Sequence, residues 1–329
     1  MNLSPDIPVM DLLPMFGPNT CSKVTEEESQ RYVRELAGSH YENFSVLSSL
    51  LPARFRDDFA AVYAFCRWAD DLGDETGADE AGRQKSLELL KWWREELTAC
   101  FTGNVQHPVY KALLPVIEKH DLPAKPFHDL IDAFEQDQHK TRYQTLQEVR
   151  GYCEKSANPV GRLVLHITQP TPNITPEMLS CSDQICTGLQ LANHWQDIRR
   201  DMEERDRIYL PLQECNVSEE QLKQWMKNRT GETEERFREI LQPLVRAAEQ
   251  DFREGSELLR MISRETRPVI ELFLNGGREV LHAIIRRGYT TLWERPSISR
   301  STKLKLVGRA WIHYRLGMLG FSSFSGSKR

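Results

Sequence analysis

Two stretches of this 329-residue chain bring oxygen ligands into helical register. In Tyr63-Ala-Phe-Cys-Arg67-Trp-Ala-Asp70-Asp71-Leu-Gly-Asp74-Glu75, residues Arg67, Asp70, Asp71 and Asp74 share one helix face, because steps of three and four return to nearly the same angle. In the run Leu189–Pro211, Asn193, Asp197 and Asp201 fall at successive four-residue steps and form a second stripe. Like charges so placed repel by roughly 0.2–0.5 kcal/mol per pair in an isolated helix, and a divalent cation reverses the sign. Magnesium takes oxygen ligands octahedrally, typically one or two carboxylates with waters and substrate phosphates completing the shell. Two such helices facing one another across a cavity would hold a small magnesium cluster with a diphosphate between them. Either stripe alone reads equally well as a solvated acidic face. The apolar and aromatic neighbours, Tyr63, Phe65 and Trp68 in one run and Leu189, Leu191 and Trp195 in the other, favour an interior cavity.

The elements that must position these side chains are helices. Apolar residues recur at three- and four-residue steps over Asp57–Glu75, Gln84–Cys100, Val109–Lys119, Pro126–Gln138, Thr145–Val164, Pro176–Glu204, Ser218–Lys227, Glu234–Ile262, Arg267–Arg287 and Lys303–Leu319. Asp and Thr residues stand ahead of several runs as N-caps. Pro- and Gly-containing breaks such as Gly103-Asn104, Leu122-Pro123 and Arg295-Pro296 are short. Alternating, β-branched strand patterns are absent, so the expected class is all-α. One domain is expected over residues 22–320, between a flexible N-terminal tail over 1–21 and a C-terminal tail over 321–329.

A net charge of -5 and a pI near 6.0 give no broad basic field for nucleic acid. Seven cysteines without a C-x-x-C spacing fit a reducing compartment, and the N-terminus lacks the basic and apolar regions of a signal peptide. No stretch approaches about 18 uncharged apolar residues, so any membrane contact is peripheral. The expected location is the cytoplasm. The run Leu306–Phe321 reads either as a surface resting on the inner face of the membrane or as a last core helix.

Taken together, the two acidic runs, His40-Tyr-Glu-Asn-Phe44, Leu51-Pro52, Tyr152-Cys153, Ala157, Val160-Gly161 and Ile208-Tyr209-Leu210-Pro211 resemble the squalene and phytoene synthase superfamily, the trans-head-to-head isoprenyl diphosphate synthases. The resemblance is collinear over roughly residues 35–310. It implies the class I terpenoid synthase fold, a helical bundle around a central cavity. It also implies a magnesium cofactor of three ions held by Asp70, Asp71, Asp74, Asn193, Asp197 and Asp201. By position, Arg67 would contact diphosphate, as would His40, Arg207 and Tyr289, though surface salt bridges or core packing would equally explain them. Phe44, Tyr63, Tyr152, Ala157, Val160 and Gly161 would line the hydrocarbon channel, where aromatic faces stabilise carbocations; ordinary core is the alternative for each.

Two departures select a branch. Where phytoene and presqualene diphosphate synthases usually carry Asn-Ile-Leu-Arg-Asp, this chain has Asn193-His-Trp-Gln196-Asp197, with a neutral amide for a cationic diphosphate contact. Where they often have a His-Ser-Lys-Ser-Phe entry, it has His40-Tyr-Glu42-Asn43-Phe44, which puts a carboxylate near the expected pyrophosphate end. Both patterns resemble the hydroxysqualene synthase branch, which converts presqualene diphosphate and water to hydroxysqualene and pyrophosphate in hopanoid synthesis. Glu42 is then a candidate proton acceptor from the attacking water, or else a salt-bridge partner. The implied partners are prenyl or presqualene diphosphate and the enzymes before and after it in the squalene pathway. The competing readings are a presqualene diphosphate or phytoene synthase and a catalytically dead scaffold of the same fold. The intact carboxylates argue against the scaffold.

Overall fold

The computed structural model describes residues 7–18, 20, 23–39, 51–77, 79–299, 301–302, 305–306 and 308. Among these every regular element is helical, as expected, and extended pairing is confined to an isolated bridge between Arg142 and Ile208. Chain packing divides into two compact units, Met1–Lys140 with Arg162–Thr175 and Thr141–Gly161 with Pro176–Arg329. Periodicity alone, which reads as one domain over 22–320, carries no trace of that division.

In the first unit the helices are α1 (Val9–Phe16), α2 (Glu26–Ser39), α3 (Ala53–Asp74), α4 (Glu80–Phe101), α5 (Pro108–His120) and α6 (Ala124–Asp137). Helix α1 lies within the stretch expected as a flexible tail over 1–21. Val9, Leu12 and Phe16 lie on one face of it and are buried, and that apolar stripe outweighs the prolines around it. Helix α2 starts on three glutamates that suit the positive end of the helix dipole. Its Thr25 and Glu28 cap one another, with the Thr25 N–H donating to the Glu28 carboxylate at 2.9 Å and the Glu28 N–H to the Thr25 hydroxyl at 3.2 Å. The core between α3, α4, α5 and α6 is aromatic. Trp68 stacks on Trp93 at 5.5 Å, and Phe65 meets Phe127 edge-on at 5.0 Å. Trp68 Nε1 donates to the Tyr32 hydroxyl at 2.9 Å, which satisfies the buried indole.

The second unit contains α7 (Leu146–Ser156), the start of α8 (Asn158–Thr168), α9 (Pro176–Gln196), α10 (Ile198–Glu204), α11 (Glu219–Lys227), α12 (Gly231–Gly255), α13 (Leu258–Met261) and α14 (Arg267–Arg286). Helix α9 is central and packs on α7, α12 and α14. A Cβ on Gly277 of α14 would run into the Phe252 ring of α12, so glycine sets that close approach. Three runs expected to be continuous are broken, among them Glu234–Ile262, which divides between the end of α12 at Gly255 and the start of α13 at Leu258. Thr145–Val164 divides at Ala157 (φ -126°, ψ -50°), just before Asn158-Pro159, and Pro176–Glu204 divides at Asp197 (φ -105°, ψ 16°).

Candidate active site

The first acidic run occupies the last turns of α3, and the helix has two chemically opposite sides. Phe65, Trp68 and Leu72 face the aromatic core and are fully buried, whereas Tyr63, Asp70 and Asp74 are half-exposed on the other side. Of the flanking aromatics, Phe65 and Trp68 therefore mark the core side of the helix, and Tyr63 shares the side of the carboxylates. Asp71 differs from its neighbours. It is buried, and Arg67 grips it with Nε donating to Oδ2 at 2.8 Å and Nη2 lying 2.5 Å from Oδ1. Arg67 also reaches Asp70 at 4.0 Å and Glu75 at 3.8 Å. Burial pushes the Asp71 carboxyl up to about 7 despite that guanidinium, with the Glu75 and Asp70 charges adding to the rise. Here Asp71 is buried and holds Arg67, whereas Asp70 and Asp74 are half-exposed.

The second run straddles the α9–α10 break. Asn193 is exposed, Asp197 half-buried and Asp201 buried. The backbone keeps four-residue spacing through the break: the Asp197 N–H donates to the Asn193 carbonyl at 2.9 Å and the Asp201 N–H to the Asp197 carbonyl at 2.8 Å. Burial pushes the Asp201 carboxyl up to about 7; Arg205, 3.6 Å away, opposes this, and the Asp197 charge adds to it. Gln196 is buried, and its Nε2 donates to the Pro296 carbonyl at 2.6 Å. Its Oε1 accepts from Arg295 Nη2 at 3.3 Å, and the same guanidinium engages both carboxylate oxygens of Asp197. A neutral amide at 196 thus sits beside a cation from the segment after α14. Sequence reasoning missed Arg295, because Arg295-Pro296 registered only as a helix breaker.

Other expected residues fall in the same unit. Tyr152 is buried in an aromatic group with Tyr143, Tyr209 and His194, in which His194 stacks on Tyr209 at 3.7 Å and Tyr152 lies 5.3 Å from Tyr209. His194 sits between the ligand candidates Asn193 and Asp197, and burial, with Arg205 and Arg207 nearby, drives its imidazole down to about 3. It is a neutral packing surface that the spacing of carboxylates did not reveal. Arg207 is buried. Ala157 marks the α7–α8 break, while Val160 is 37% exposed. Gly161 provides no empty space: a Cβ there would come within 2.5 Å of both Cys186 Sγ and Ser182 Oγ, so the glycine lets α8 meet α9. Tyr289 lies past α14 with φ of 64°, a left-handed conformation that is strained for a bulky residue. His40, Glu42 and Phe44 lie outside the described residues, as does most of Leu306–Phe321.

Among the described residues, no three His, Cys, Asp or Glu side chains converge on one point. Magnesium needs no such cage, since one or two carboxylates suffice when waters and phosphates supply the rest. The donor set fits a hard divalent ion. Both stripes offer oxygen ligands, and both contain a carboxyl that burial holds far above its ordinary range.

A family profile for squalene/phytoene synthase matches residues 37–302. The chain belongs to that family. Its members process isoprenyl diphosphates and use divalent metals. Over 316 residues the chain is 27% identical to the 15-cis-phytoene synthase of Synechocystis, covering 91% of this chain and 89% of the relative. To the hydroxysqualene synthase of Zymomonas mobilis it is 35% identical over 177 residues, 53% of this chain and 56% of the relative. The crystal structure of squalene synthase HpnC from Alicyclobacillus acidocaldarius superposes with a TM-score of 0.71 at 37% identity, covering 80% of this chain and 95% of that one. A dehydrosqualene synthase complex reaches a TM-score of 0.74 at 23% identity, over 88% of this chain and 98% of that one, which supports the fold. No helix of the described residues is long and apolar enough to cross a membrane.

Proposed function

We propose that this protein ionises presqualene diphosphate and lets water capture the carbocation, giving hydroxysqualene, pyrophosphate and a proton. The observation that carries this choice within the family is identity. The chain is 35% identical to hydroxysqualene synthases and 37% to the HpnC structure, against 26–27% for the phytoene synthases. The motif Asn193-His-Trp-Gln196-Asp197 points the same way.

Asp70, Asp74, Asn193, Asp197 and Asp201 would hold the magnesium ions, with Asp71 anchoring Arg67. Bound there, magnesium would act as a Lewis acid that neutralises the leaving pyrophosphate as the carbon–oxygen bond breaks. Arg67 and Arg207 would orient the anion. The faces of Tyr63 and Tyr152 would shelter the cation from stray water until capture. Glu42 would take the proton released by the attacking water.

A second reading, head-to-head condensation of two prenyl diphosphates, is favoured by the longer match to phytoene synthases, 91% of this chain. Arg295 also returns to the second motif a cation that Gln196 lacks. Supplying farnesyl diphosphate and presqualene diphosphate in separate reactions and identifying the products separates the two. Consumption of presqualene diphosphate alone supports the proposal; consumption of farnesyl diphosphate to a thirty-carbon diphosphate overturns it. NADPH should change neither rate nor product, because a cation trapped by water needs no hydride.

A further inference from the structure

The contacts of Arg295 show what a metal ion would have to displace, an inference that rests on the metal-binding reading of Asp197. Arg295 Nη2 donates to Asp197 Oδ2 at 3.1 Å while Nε donates to Oδ1, so both oxygens of the carboxylate are occupied. The Arg295 side chain is 51% exposed, against 16% for Asp197, so the guanidinium covers the carboxylate from the solvent side. The backbone around it is pinned. Trp293 Nε1 donates to the Trp225 carbonyl at 2.8 Å, its ring packs edge-on against Phe237 at 5.5 Å, and Glu294 pairs with Arg229 at 2.7 Å. On the other side Gln196 Nε2 holds the Pro296 carbonyl at 2.6 Å. The Arg295 side chain can therefore swing away without moving the chain that carries it. A divalent ion and a guanidinium ask for the same oxygens of Asp197 and repel each other.

We propose that Arg295 is a built-in cation that competes with the divalent ion for Asp197. It thereby sets the metal affinity of the second stripe. Gln196 supports this role by offering Oε1 to the resting guanidinium.

The prediction runs against the usual effect of deleting a residue next to a metal ligand. Removing the competitor should tighten metal binding by about fivefold, the factor corresponding to roughly 1 kcal/mol of half-exposed ion pair. The test is titration of the full chain with Mn2+ alone, the free ion being counted by its electron paramagnetic resonance. Wild type is compared with Arg295→Ala, Arg295→Gln and Arg295→Lys. Tighter binding in the Ala and Gln variants, with Lys close to wild type, supports competition by charge. Unchanged or weaker binding in both neutral variants overturns it and leaves the metal site itself standing. Absence of Mn2+ binding in the wild type, both alone and with added pyrophosphate, overturns both this inference and the function it rests on. Gln keeps a polar side chain beside Gln196, so it retains the local fold if Ala does not.

Discussion

Asp201→Asn should make the metal-free protein more stable at alkaline pH. Asp201 is buried, and its carboxyl is pushed from 3.8 to about 7, chiefly by that burial. The folded chain therefore keeps a proton between pH 4 and 7 that the unfolded chain has already lost, and stability falls as pH rises through that window. At about 1.4 kcal/mol per unit, a rise of roughly three units corresponds to an upper bound of about 4 kcal/mol above pH 7. The amide cannot ionise, so the advantage of Asp201→Asn should grow from near zero at pH 4 towards that bound at pH 8. Thermal unfolding of both proteins in excess EDTA at pH 5 and pH 8 reads the difference. Asp71 and Asp251 are also raised by burial, but they are common to both proteins and cancel. A variant less stable than wild type at pH 8, or a gap that does not change with pH, would refute the reasoning. Added Mg2+ should restore stability to the wild type more than to the variant, because only the carboxylate binds the ion.

Asp70→Ala, Asp74→Ala and Asp197→Ala should each lower turnover by about a hundredfold or more, since the charge stabilisation at stake is several kcal/mol, while circular dichroism stays unchanged. Gly161→Ala should lower stability by about 1–3 kcal/mol in denaturant titration, as the added methyl is forced against Cys186 and Ser182. Arg150 donates from both terminal nitrogens to Asp251 at 2.9 Å, and that carboxylate is buried. Arg150→Ala should therefore cost about 3 kcal/mol at pH 8 and less as pH falls, because burial already raises the Asp251 carboxyl and the unpaired acid can take up a proton; a cost independent of pH would argue against the buried charge.

Helix identity was legible wherever an apolar stripe ran long. α3, α4, α5, α6 and α14 lie within a few residues of their periodic runs. α1 and α2 were missed, the first because its prolines suggested a tail and the second because its acidic start hides a short stripe of Tyr32, Val33, Leu36 and Ala37. The breaks at Ala157 and Asp197 were invisible to periodicity, since one non-helical residue shifts a stripe too little to erase it. Ligand candidates stand out by spacing, and Asp70, Asp74, Asn193, Asp197 and Asp201 were found that way. Spacing does not show which carboxylate is spent within its own helix, as Asp71 is on Arg67. Nor does it show a cation that arrives from about a hundred residues away, as Arg295 does at Asp197.

In the proposed reaction, water captures the carbocation and ends the sequence. The direct measurement is to incubate the purified chain with presqualene diphosphate and Mg2+ in heavy-oxygen water, and to weigh the lipid product by mass spectrometry while pyrophosphate is counted. Hydroxysqualene carrying one heavy oxygen for each pyrophosphate released is the predicted result. Presqualene diphosphate left intact, or a product without solvent oxygen, would contradict it.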